Sequence, residues 1–261
     1  MSSITESPVV FTNEDMQIVG MIHRPAAMTE SKPTAVVFFH GCTTSRTEAH
    51  WIFVKMARAL SKNGIMALRF DFRFSGESEG DFQDMTLSDE VSDAIRSVDY
   101  LVSDCGADPE RIGIVGMSMG GAIGAITAGR LRDRIVSCVL LNPVGRLHED
   151  LSAIAESNNI NTSSFPIEWK SLLFGRAFFD DLKNINPLEE IVHATCPVLI
   201  INGTADTSVS PKRSREYYKT LRNNGQNAEL MLIDGADHVF TSVAWEHEII
   251  EKVSGWFMRT L

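Results

Sequence analysis

A chain of 261 residues, 44% apolar and 22% charged, has the composition of a folded globular protein and enough length to bury a sizeable core. It carries 34 acidic against 24 basic side chains, a formal charge of −10, which repels nucleic-acid phosphates and anionic lipid headgroups and excludes both as expected partners. No apolar run approaches the roughly 20 residues of a membrane span, and the first eight residues lack the basic start and apolar stretch of a secretory signal. Cys42, Cys105, Cys138 and Cys196 are far apart and form no CxxC pair, the usage of a reducing compartment, so a cytoplasmic location is expected.

In chain order, residues 9–11 and 17–23 read as a β-hairpin. Short apolar runs then recur at residues 35–40, 65–72, 111–117, 135–143, 197–203 and 228–235. Each is rich in Val, Ile, Leu or Phe with little polar alternation, which predicts strands covered on both faces. The stretches between them have helical period. Val91, Ala94, Ile95, Val98, Leu101 and Val102 form one apolar stripe, with Asp89 and Glu90 in the first turn. Ser210-Pro211 reads as the N-cap and first residue of a helix that Gly225 ends. Alternation of this kind predicts an α/β fold with a mostly parallel central sheet flanked by helices, built from residues 1–143 and 188–261.

Residues 144–187 break the rhythm. No strand is predicted there, and the connection is far longer than the usual link between a helix and a strand. Phe165, Trp169, Phe174, Phe178 and Phe179 fall within 15 residues of it. Two readings stand side by side: a small helical excursion whose aromatics pack on each other, or a helical lid whose apolar underside binds substrate.

The chemistry concentrates at strand ends. Residues 111–117 run into Gly116-Met117-Ser118-Met119-Gly120 and then into a small-residue helix, the G-x-S-x-G elbow in its strand–turn–helix setting. A serine hydroxyl needs a base, and the base an orienting acid. His238 follows the run at 228–235, and Asp206 follows the run at 197–203. Asp234 and Asp237 compete for the acid's role, but Asp237 adjoins His238 in sequence and Asp234 suits a chain turn, so Asp206 is favoured. His40-Gly41-Cys42 closes the first buried run, where a His-Gly turn supplies one oxyanion amide, here that of Cys42; the amide of Met119 supplies the other. His40 reads as an orienting residue at the edge of the substrate site. The spacing around His247 is not HExxH, and neither G-x-G-x-x-G nor GxxxxGK[ST] is present, so neither a metal nor a nucleotide cofactor is expected.

On these motifs the chain resembles the α/β-hydrolases, and in particular the bacterial cinnamoyl and feruloyl esterase-like branch. The likeness also takes in Arg69-Phe70-Asp71-Phe72, the Gly76-Glu77-Ser78-Glu79-Gly80 loop and Gly235-Ala236-Asp237-His238. It implies a Ser118, Asp206, His238 triad, a Cys42 and Met119 oxyanion hole, a lid from the insertion, and cofactor-free hydrolysis of carboxylic esters. Three departures stand out: Cys42 replaces a bulky aromatic, Arg73-Phe74-Ser75 replaces a Gly-His pair, and residues 144–187 contain no tyrosine. The expected substrate is a small-molecule ester. Thioesters, aminoacyl amides and feruloyl esters are alternatives because the attacked group is a carbonyl in each, and a non-catalytic binding member of the fold is a further one. A homodimer is compatible with the sequence, which does not set oligomeric state.

Overall fold

The computed structural model describes residues 4–26, 32–158, 160–162 and 164–261. Strands β1 (Thr5–Asn13) and β2 (Met16–Arg24) pair antiparallel through a turn at Glu14 and Asp15, both with positive φ. The chain then alternates β3 (Ala35–Phe39), α1 (Ile52–Lys62), β4 (Met66–Phe70), α2 (Leu87–Ser103), β5 (Ile112–Met117), α3 (Met119–Leu131) and β6 (Ser137–Leu141). After β6 come α4 (Leu147–Ser157), β7 (Ile167–Trp169), β8 (Leu172–Phe174), α5 (Arg176–Asp181) and α6 (Pro187–Glu190). The alternation resumes with β9 (Val198–Gly203), α7 (Pro211–Asn223), β10 (Ala228–Ile233) and α8 (Val243–Thr260).

Eight strands form one sheet in the order β1-β2-β4-β3-β5-β6-β9-β10, antiparallel at the β1–β2 and β2–β4 joins and parallel elsewhere. Every residue of β3, β4, β5, β6 and β9 is buried, because helices cover both faces. Successive side chains serve opposite cores. Val36 and Phe38 meet the face covered by α1 and α8, while Val37 and Phe39 meet the face covered by α2 and α3. Thr86 caps α2 by accepting from the Asp89 amide, and Ser210 caps α7 with Pro211 at its first turn, as its sequence predicts.

The register sets up the site. Phe39 lies opposite Gly116, Met117 opposite Leu141, Leu141 opposite Ile201, and Gly203 opposite Ile233. The carboxyl ends of five parallel strands are therefore level, and the loops that leave them meet along one edge.

Residues 144–187 are not purely helical, which corrects the expectation of a helical insertion. β7 and β8 form a separate two-stranded antiparallel hairpin. Its strands have three residues each, and its turn is made by Lys170 and Ser171, both at positive φ (50° and 60°). Such a turn is ordinarily announced by Asn-Gly or Asp-Gly; Lys-Ser gives no such signal. The root of the segment is tied to the core. The Val144 amide donates to the Ser118 carbonyl at 3.1 Å, and its own carbonyl accepts from the Tyr217 hydroxyl at 2.7 Å. Among the described residues, no helix is long and apolar enough to cross a membrane.

Candidate active site

Ser118 sits between β5 and α3 with φ 56° and ψ −118°, a conformation that costs a non-glycine residue about 1–3 kcal/mol. The surrounding backbone holds it there: its amide donates to the Leu141 carbonyl at 2.9 Å, and its carbonyl accepts from Gly121 at 3.0 Å. The flanking glycines follow from packing. A Cβ on Gly116 would lie 2.0 Å from the Gly120 carbonyl oxygen, and one on Gly120 would lie 2.1 Å from that of Phe39. The amide of Met119 opens α3 and is one of those a helix leaves without an intrahelical partner.

His238 lies in the loop after β10, with Nε2 3.0 Å from Ser118 Oγ and Nδ1 2.7 Å from Asp206 Oδ2. Because the buried Asp206 carboxylate accepts at Nδ1, that nitrogen carries the proton and Nε2 is left to accept from the serine hydroxyl. Asp206 is fixed in turn: its Oδ1 accepts from the Ser208 and Val209 amides, each at 2.8 Å. The competing acids are engaged elsewhere. Asp234 accepts from the Thr204 hydroxyl at 3.2 Å, and Asp237 accepts from the Thr241 amide at 3.0 Å.

Sequence reasoning missed Asn142, which follows β6 with φ 44° and is fully buried. Its Nδ2 donates to the His238 carbonyl at 2.5 Å, and its Oδ1 accepts from the Gly203 amide at 3.0 Å. One side chain thus joins the histidine loop to the acid's strand. The signal was an Asn at a strand's carboxyl end, a residue type that tolerates the left-handed region. His50 was also passed over. Its ring bridges the Val239 carbonyl and the Glu246 carboxylate, each at 2.6 Å, and so steadies the residue after His238.

The turn after β3 is held from both sides. His40 is buried; its Nε2 accepts from the Phe72 amide at 3.1 Å, so the proton is on Nδ1, which donates to the Gly41 carbonyl at 2.8 Å. Burial lowers the affinity of this ring for a second proton. The Gly41–Cys42 peptide is planar and trans, so fixing its carbonyl also fixes the Cys42 N–H on the opposite side. On the other flank, the Gly41 amide donates to Glu48 Oε1 at 2.5 Å. His40 is not among the residues lining the cavity; it lies beneath the turn, which corrects its assignment to substrate contact. Burial pushes the Cys42 thiol far above its usual range, which keeps it protonated and unsuited to nucleophilic attack.

Ser118 and His238 open into a cavity of about 590 Å³. One wall is α4 with its approach, through Val144, Leu147, Leu151 and Ile154; Trp169 and Lys170 of the hairpin complete it, and Cys42, Met119 and Val209 lie opposite. Of the five aromatics singled out in the sequence, Trp169 reaches this cavity. Phe165, Phe174, Phe178 and Phe179 do not line it; Phe174, Phe178 and Phe179 line a smaller apolar pocket that shares Leu151, Ile154 and Trp169 with it. The four phenylalanines pack on one another with ring centroids 5.2–6.4 Å apart and extend the core on the α2 and α3 face of the sheet, Phe174 also meeting Phe82 at 5.0 Å. Among the described residues, no group of three His, Cys, Asp or Glu side chains is placed to hold a metal.

The fold and this site define a serine hydrolase of the α/β-hydrolase class. The signature of the prolyl oligopeptidase family matches residues 51–261, most of the chain, and the chain belongs to that family. An acylamino-acid-releasing enzyme from Arabidopsis thaliana is 24% identical over 236 residues, covering 84% of this chain and 28% of its own length. The chain thus spans less than a third of that relative. Est1E from Butyrivibrio proteoclasticus, solved with ferulic acid bound, superposes with a TM-score of 0.82 at 22% identity, covering 97% of this chain and 98% of its own. The esterase Pf2001 from Pyrococcus furiosus superposes with a TM-score of 0.75 at 25% identity, covering 98% and 93%.

Proposed function

We propose that the chain is a serine carboxylesterase that works through an acyl-enzyme on Ser118. The observation that carries this reading is the unbroken hydrogen-bonded row from Ser118 Oγ through His238 to Asp206 at the wall of a cavity. Ser118 Oγ attacks the ester carbonyl as its proton passes to His238 Nε2. Asp206 holds the ring by Nδ1 and stabilises the imidazolium that forms. The Cys42 and Met119 amides receive the oxyanion, His238 returns the proton to the departing alcohol, and the carbonyl–oxygen bond breaks. Water then repeats the sequence on the acyl-enzyme and frees the acid and the serine.

The likeness to an esterase supports the ester reading. An acylaminoacyl amide is the second reading, supported by family membership and by the Arabidopsis relative. For the acyl group, residues 144–187 serve as a cap whose α4 wall is apolar and which offers no tyrosine to a phenolic hydroxyl. A hydroxyl buried without a partner lowers kcat/KM by roughly 5- to 150-fold against an apolar group of similar size. Short and medium aliphatic acyl esters are therefore preferred to feruloyl esters. Butyrate, hexanoate and ferulate esters of one alcohol, compared with an N-acetyl-aminoacyl amide, test both points. Ferulate turned over best would overturn the aliphatic preference, and the amide turned over best would replace the first reading with the second.

A further inference from the structure

Glu48 is out of place by every local rule. It adopts φ 57° and ψ 175°, a region that glycine alone visits freely, in a stretch where Thr43, His50 and Trp51 also have positive φ. Its side chain is buried, with 8% of the residue exposed, yet it borders the cavity that holds Ser118. The position where a Gly41 side chain would begin lies 3.1 Å from Ser118 Cβ and 3.4 Å from Glu48 Oε1, so carboxylate and nucleophile flank the same small gap. A solvated surface acid needs neither the strain nor the burial.

We propose that Glu48 is a positioning residue for the oxyanion turn: its carboxylate grips the Gly41 N–H so that the following peptide presents the Cys42 N–H to the substrate oxygen. This rests on the esterase reading above. His40 holds the carbonyl of Gly41 and Glu48 holds its amide, so both peptides flanking Gly41 are pinned by buried side chains. The carboxylate also faces His238, whose charge acts on it electrostatically. The other charged groups around it are His50 with Glu246 and Lys55, on its own loop, α8 and α1, and Lys170 across the cavity on the hairpin turn.

The grip depends on charge. An ionised acceptor makes a shorter hydrogen bond, about twice as strong as a neutral one. Burial pushes Glu48 up to about 7, against the opposing pull of the Gly41 and Ala49 amides and His238. As pH falls through that value the carboxyl takes up a proton and the hold on Gly41 loosens.

Kinetics of Glu48→Gln and Glu48→Ala on the preferred aliphatic ester, with circular dichroism to check folding, test this. The advantage of the unmodified protein over Glu48→Gln in kcat/KM is about tenfold at pH 8 and narrows toward one at pH 5, where both side chains are neutral acceptors. Glu48→Ala lowers kcat by about 100-fold with KM changed less than threefold, the pattern of a misplaced oxyanion donor, and Glu48→Gln, a neutral acceptor like the protonated carboxyl, recovers about tenfold of that loss. A ratio to Glu48→Gln that stays constant from pH 5 to 8, or a Glu48→Ala enzyme within twofold in kcat, overturns the proposal. Ser118→Ala, run alongside, separates the two levels: if it retains activity the esterase reading fails, and if it is inactive while Glu48→Gln is unchanged this inference alone fails.

Discussion

Ser118→Ala removes the atom that meets His238 Nε2 and should lower kcat by about 10⁶ with the fold intact, and Asp206→Asn should cost about 10⁴ by favouring the wrong tautomer of His238. Fluorophosphonate labelling with peptide mapping checks the first, and a label outside Ser118 refutes it. A damaging Asp234→Asn beside a mild Asp206→Asn refutes the second. Asn142→Ala leaves the His238 carbonyl and the Gly203 amide without their partner, at about 1–3 kcal/mol each. Both the thermal midpoint and kcat should fall, and kcat unchanged within twofold would show that the histidine loop does not need this tie. Ser118, Asp206 and His238 were legible because each follows a strand of the parallel part of the sheet, and a parallel sheet brings such ends together. Glu48 was not, since it acts on a backbone amide that leaves no trace in a residue pattern, and Asn142 left only its residue type at a strand's end.

The strands read at 35–40, 65–72, 111–117, 135–143, 197–203 and 228–235 all appear, trimmed at their ends; the first five are apolar runs that suit a sheet buried on both faces, and the last is its half-exposed edge. The β7–β8 hairpin escaped because three-residue strands show no period and Lys170-Ser171 is no turn signature. The aromatics there were conspicuous, yet composition does not say which way a ring points. The packing separates them into two kinds, with different expected phenotypes. Phe178, on α5 and 1% exposed, is a core residue packed on Phe174 of the hairpin, so Phe178→Ala should destabilise by about 3–5 kcal/mol. Trp169 borders the cavity, so Trp169→Ala should raise KM for hexanoate esters while costing less stability. Thermal melts and KM values for both variants check this, and a reversed pattern would mean that the rings have exchanged roles.

Over the molecule as a whole, carboxyl groups pull stability in two directions. Burial raises Glu90 well above its ordinary range, with the charges of Asp93 and Asp89 adding to the effect; burial also raises Glu48 to about 7 and Asp93 to about 6. A carboxyl raised in the folded state binds protons on folding, so its contribution is fully present below its unfolded value and is lost as pH rises through the folded one. Glu6 and Glu14, held low by hydrogen bonds from Arg58 and Arg73, act in the opposite sense and lose their contribution in acid. Burial also lowers His23 to about 4 and lowers His40, which adds stability as pH rises to about 6.5, so the thermal midpoint should peak at about pH 6–7 and decline toward pH 8. Glu90→Gln should raise it at pH 8 more than at pH 5, and a midpoint that climbs steadily from pH 5 to 8 would contradict this account. A charge of −10 steepens the same decline through self-repulsion.

The anchorage of Val144 sets rules for exchanging parts between relatives. The stretch beginning there starts with an amide bonded to the nucleophile's own carbonyl, and α4 is strapped to α7 where the Arg213 guanidinium donates to Asp150 Oδ1 at 2.7 Å. A chimera in which a foreign pocket wall is spliced in upstream of Val144 would disturb the serine itself and register as lost turnover rather than altered selectivity. One spliced after Val144 but lacking an acid in place of Asp150 would leave Arg213 to Glu216 of its own helix, 3.0 Å away, and would lose the strap between α4 and α7. A donor segment that respects both junctions can trade one acyl preference for another while the chemistry is inherited unchanged.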